Sequence, residues 1–123
     1  MRILLVMVGV LVSNSVPAGD LLPLHHGRYS SSSCDQAANA ALLFFDGKSL
    51  NGAHSQACTM SLVKKTGATF VVTQTCPAEQ VGSSVPARLT TSTETIHVKT
   101  SDSFELSTSR DDEIRNYRFC SKK

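Results

Sequence analysis

The sequence predicts an all-β domain: a small antiparallel β-barrel or sandwich of about seven or eight strands with one short helical turn. Three observations predict it. Apolar and polar residues alternate along several short stretches, as in half-buried strands. Gly, Asn, Asp and Ser punctuate the chain between those stretches. Threonine is abundant, and its branched Cβ suits the solvated face of a pleat. A closed or nearly closed sheet is favoured, because an open sheet of this size leaves its edges unpaired.

The chain opens MRILLVMVGVLVSNSVPAGD. A basic residue, Arg2, precedes an uncharged apolar run from Ile3 to Val12, and small residues follow. That is the pattern of a secretory signal peptide over residues 1–18, cut between Ala18 and Gly19. As a helix the apolar run spans about 15 Å, half of a bilayer's hydrocarbon core, which is too short for an anchor. Residues 19–123 then form a single domain. With 12 Lys+Arg against 10 Asp+Glu, scattered along the chain, no basic face forms for nucleic acid.

The elements follow in order. GRYSS (residues 27–31) is a first strand around Tyr29. Asp35 to Asn39 begins a helical turn beside Ala37, Ala38, Ala40 and Ala41. ALLFF (residues 41–45) is a buried strand ending in the turn Asp46-Gly47. Residues 46–57, DGKSLNGAHSQA, are loop. Cys58, Met60 and Leu62 share one face before Gly67, and Phe70, Val72 and Cys76 share one face after it, which predicts a hairpin. A three-residue loop, Thr66-Gly67-Ala68, sets Lys65 opposite Thr69, Leu62 opposite Val72, Met60 opposite Gln74 and Cys58 opposite Cys76. Residues 77–88 form the longest loop, bounded by prolines that cannot donate to a central ladder. Ile96 and Val98 then face one way, and Thr93, Thr95, His97 and Lys99 the other. Ser101 to Ser103 turn, and Phe104 and Leu106 repeat the alternation. Arg110 to Glu113 make a charged turn, and Tyr117 and Phe119 define the last strand.

The four cysteines are Cys34, Cys58, Cys76 and Cys120. An even count in a short exported domain predicts two disulfides. No Cys-x-x-Cys is present, and the spacings do not suit zinc. The hairpin register favours Cys58–Cys76, leaving Cys34–Cys120 to tie the first strand to the last. The pairing Cys34–Cys58 with Cys76–Cys120 stays open, because directly opposed cross-strand disulfides are geometrically demanding.

The combination LLPLHHGRYSSSSC, AANA, FDGKSLNGA, the Thr66-Gly67 hairpin with VTQTC, and YRFC resembles a group of small exported two-disulfide proteins of Gram-negative bacteria with no established activity. The resemblance covers most of residues 19–123, and its motifs are mainly structural. The tie between an early and a late cysteine is also similar to the membrane-bound and periplasmic inhibitors of C-type lysozyme, which are small antiparallel barrels. Their serine-rich recognition loop is not carried over to residues of this chain, so that similarity is one of architecture.

No G-x-S-x-G, calcium loop, phosphate loop or dinucleotide fingerprint occurs. No catalytic, cofactor or metal site is assigned. His25-His26 reads as a solvated pair and His97 as a surface residue. The expected function is a periplasmic or secreted binding module that recognises another protein, an inhibitor of a hydrolase such as lysozyme being one form. Its contacts are expected from loop 77–88, at Ser83, Ser84 and Arg88. The alternatives are a small envelope enzyme assembled from distant residues, with His54 or His97 as base, or a structural envelope protein.

Overall fold

The computed structural model describes residues 19–52, 57–77, 89–109 and 111–122. The strands are β1 (Gly27–Ser30), β2 (Leu42–Phe45), β3 (Leu50–Gly52), β4 (Thr59–Thr66), β5 (Thr69–Pro77), β6 (Leu89–Thr100), β7 (Ser103–Thr108) and β8 (Asp111–Ser121). One 3-10 turn, Asn39–Ala41, precedes β2. All eight strands form a single antiparallel sheet in the order β3-β2-β1-β8-β7-β6-β5-β4. The sheet curls into a half-barrel.

The concave face holds the apolar members of each alternation. On β5, Phe70 and Val72 are buried; on β6, Ile96 and Val98; on β7, Phe104 and Leu106. Tyr29, Phe104, Tyr117 and Phe119 pack with ring centroids 5.1–5.5 Å apart. Tyr29 is fully buried, and its hydroxyl donates to the carbonyls of His25 (2.7 Å) and Ser101 (3.2 Å). Burial and the nearby Asp102 push its pKa up to about 12.

Closure follows the expected tie of first strand to last, but the opening lies elsewhere. β1 pairs with both β2 and β8, so the meander's two ends meet inside the sheet. The edges are β3 and β4. They approach where Asn51 Oδ1 accepts from the Cys58 amide (3.0 Å) and Gln74 Oε1 accepts from the Leu50 amide (3.3 Å). Nearly all of β4 is exposed, Leu62 and Val63 included. A bulge at Val63 and the charges of Lys64 and Lys65 are features that discourage pairing with another edge.

Several elements differ from expectation. The hairpin turn has two residues, because Thr66 pairs with Thr69 and Lys65 with Phe70. Gly67 takes φ +60°, as the first central residue of a type II′ turn does. The bulge at Val63 then shifts the register, so Leu62 still faces Val72 and Met60 faces Gln74. Strand β3 lies within the expected loop 46–57. Asp46 makes it possible: its carboxylate accepts from the amides of Lys48 (2.9 Å) and Ser49 (2.8 Å), folding a tight turn that returns Leu50 beside Phe45. Burial raises the Asp46 pKa, but these donors outweigh it and the net shift is downward. The charged turn is shorter than expected, since Thr108 already pairs with Asp111. The helical turn sits at residues 39–41 rather than 35–39.

Disulfides join Cys34 to Cys120 and Cys58 to Cys76, with Cα atoms 5.5 and 4.2 Å apart. These are the pairs the hairpin register favoured.

Candidate functional site

The two ends of the half-barrel differ. At one end lie the β6–β7 turn, the β2–β3 turn and the Gly67-Ala68 turn. Residues 20–26 cross this end: the Leu21 amide donates to Gly47 (2.8 Å) and the His25 amide to Ser101 (2.9 Å). Leu22 and Leu24 are buried in the core there. His25 contacts Asp102, and His26 Nε2 lies 2.9 Å from Asp20 Oδ2. The expected solvated pair is therefore exposed, yet each ring meets its own carboxylate. Among the described residues no group of three or more His, Cys, Asp or Glu is placed to hold a metal ion.

Among the described residues the opposite end is open. Two adjoining cavities of about 280 Å³ each occupy it, sharing Leu43, Leu50, Gln74, Glu94 and Thr108 in their walls. Leu42, Leu106 and Arg115 also line the first, and Cys76, Thr90 and Ser92 the second. Cavities that combine apolar walls with a few fixed polar groups are the usual form of binding sites.

Of the carboxyl, amide and guanidinium side chains lining these cavities, Glu94 and Gln74 are buried, 9% and 8% exposed. Strand parity puts them there. Glu94 shares its face with Ile96 and Val98, and Gln74 with Phe70 and Val72. Glu94 stands between Val72 on β5 and Thr108 on β7. Its Oε2 is buried with no hydrogen-bond partner among the described residues. Burial raises its pKa, and a hydrogen bond from Ser92 only partly counters this. Gln74 is committed to the fold, since it accepts from the Leu50 amide across the seam and its Nε2 lies 3.7 Å from Cys76 Sγ.

The two disulfides account for all four expected cysteines. Gly19 is exposed at the start of the described residues, and Ala18 lies outside them. Ser83, Ser84 and Arg88 also lie outside the described residues, as does His54. The flanks of that segment are clear: Pro77 and Leu89 pair directly, at the open end. His97 is on the convex face, 3.0 Å from Thr69 Oγ1 and away from the cavities. Nearby, Lys99 holds the Glu105 carboxyl below its ordinary pKa. Sequence reasoning missed Glu94 and Gln74. Their even numbering, shared with the buried residues of the same strands, was the available signal.

No protein-family model, curated protein or solved structure matches the chain.

Proposed function

We propose that the chain is an exported binding module of the cell envelope, periplasmic or secreted, which recognises another protein through the open end of its half-barrel. The observation that carries this reading is the pair of part-apolar cavities around Glu94, on a scaffold tied by two disulfides. A scaffold already ordered loses less entropy on binding. Disulfides persist in oxidising compartments, and the leader-like pattern of residues 1–18 agrees with export. No helix among the described residues is long and apolar enough to cross a membrane.

Ser83, Ser84 and Arg88 belong to the segment between Pro77 and Leu89, both at this end, so they remain partner contacts in the reading. Inhibition of a hydrolase is the activity to test first, with C-type lysozyme as the enzyme suggested by architecture. Immobilised, oxidised residues 19–123 are exposed to periplasmic and host extracts, beside Leu43→Arg and a triple Ser83→Ala, Ser84→Ala, Arg88→Ala variant. A partner held by the native protein and lost by Leu43→Arg supports the open end. A partner retained equally by both variants refutes it.

A further inference from the structure

We propose that the open end receives a lysine side chain of the partner protein, its aliphatic stem along Leu43 and Leu50 and its ammonium on Glu94. This rests on the binding-module reading and names the ligand of the same site.

Glu94 presents an unmet acceptor. It is nine-tenths buried in the wall of both cavities, and its Oε2 has no partner among the described residues. Buried carboxyl oxygens are normally hydrogen-bonded, so an unpaired one facing a cavity marks where a donor belongs. Rotation about the soft terminal torsion brings either oxygen toward the opening. A second acceptor stands beside it: Thr108 is directly opposite Glu94, so its side chain shares that face. Gln74 already commits one of its oxygen's two acceptor positions to Leu50.

The walls choose among donors. Leu43, Leu50 and Leu106 ask for hydrocarbon, and the carboxyl at depth asks for a positive or donating tip. An anion is repelled by Glu94, and a purely apolar ligand leaves it unmet. A guanidinium prefers two parallel acceptors in one plane. Ser92 already bonds to the carboxyl, so a compact ammonium on a hydrocarbon stem fits better. Each cavity, at about 280 Å³, suits one side chain rather than a larger molecule. Arg115 is the other charged residue lining the first cavity, and its guanidinium lies 3.7 Å from Glu113. It stands as the rival for Glu94 among the described residues.

The test titrates Nα-acetyl-lysine N-methylamide into isotope-labelled, oxidised residues 19–123 and follows backbone amide shifts. Saturable shifts are expected on β5, β6 and β7. Glu94→Gln should weaken binding at least about tenfold, as loss of a charge-assisted hydrogen bond does. Thr108→Val should weaken it less, and supplies a second variant if Glu94→Gln misfolds. The Nε-acetylated probe should not bind. Equal binding by Glu94→Gln overturns the proposal, as does binding of the Nε-acetylated probe. Saturable binding of n-hexylamine without the lysine probe overturns the partner lysine in favour of a small-amine site. If the lysine probe fails while a captured partner is still lost on Leu43→Arg, the lysine assignment falls and the binding-module reading stands.

Discussion

Removing the long disulfide should cost more stability than removing the short one, and the margin follows from the chain lengths they enclose. Cys34 and Cys120 are 86 residues apart, Cys58 and Cys76 only 18. In the chain-entropy treatment, these loops restrict the unfolded chain by about 4.6 and about 3.2 kcal/mol. The difference, about 1.4 kcal/mol, is about tenfold in the folding constant. A domain of this size has roughly 5 to 15 kcal/mol in total, so either loss is a large fraction of its stability. The native contacts argue the same way. The hairpin strands β4 and β5 stay adjacent through their turn. The long bridge instead tethers the segment after β1 to β8, strands that meet through distant pairing. Cys58 is buried, so Cys58→Val with Cys76→Ala keeps its apolar volume and isolates the bridge. Cys34→Ala with Cys120→Ala is the comparison. Tryptophan is absent, so urea unfolding is followed by far-ultraviolet circular dichroism. Equal loss in both variants, or a greater loss in the hairpin variant, refutes the entropic ordering and shows that native-state contacts outweigh chain entropy.

Two further outcomes test the fold and the site. Gly27 has φ +145°, and a Cβ there would meet the carbonyl of Ser121 and lie 2.7 Å from Phe119 Cε2. Gly27→Ala should therefore cost roughly 2 to 4 kcal/mol in urea unfolding, and an unchanged midpoint would contradict the close approach of β1 to β8. Glu94→Gln should stabilise the protein at neutral pH and not in acid. The Glu94 pKa is raised in the folded state, so the folded protein binds that proton more tightly. Its contribution is favourable below the ordinary value of 4.5 and is lost as pH rises through the folded pKa. Asp46 and Glu105 titrate in both proteins, so their effects cancel in the difference. A difference curve that is flat with pH, or grows on acidification, rules this out.

The strand alternations at Phe70–Val72, Ile96–Val98 and Phe104–Leu106 were legible because side-chain direction in a strand has a period of two and needs no partner to be read. The cysteine pairing was favoured by the matching parity on either side of Gly67, but the odd residue that this parity needs is the bulge at Val63 and not a three-residue loop. Other features were not local. Strand β3 is short and polar, and it forms because Asp46 folds the turn and β2 supplies a ladder. Leu22 and Leu24 sit beside a proline and carry no strand period, yet they bury because one end of the half-barrel is uncovered without them.

The amino-acid sequence by itself determined the all-β class and the faces of the long strands, both consequences of local spacing, and it favoured one cysteine pairing that the structure then decided. Only the tertiary structure decided where the sheet opens, at β3 and β4, since that depends on which distant strands pair. It alone placed Glu94 in the wall of the cavities. A glutamate in a Thr-rich strand reads as solvated, because its neighbours in sequence are polar. Its neighbours in space are Val72, Thr108 and the leucines of an open cavity, which strip its water and leave an acceptor to be filled.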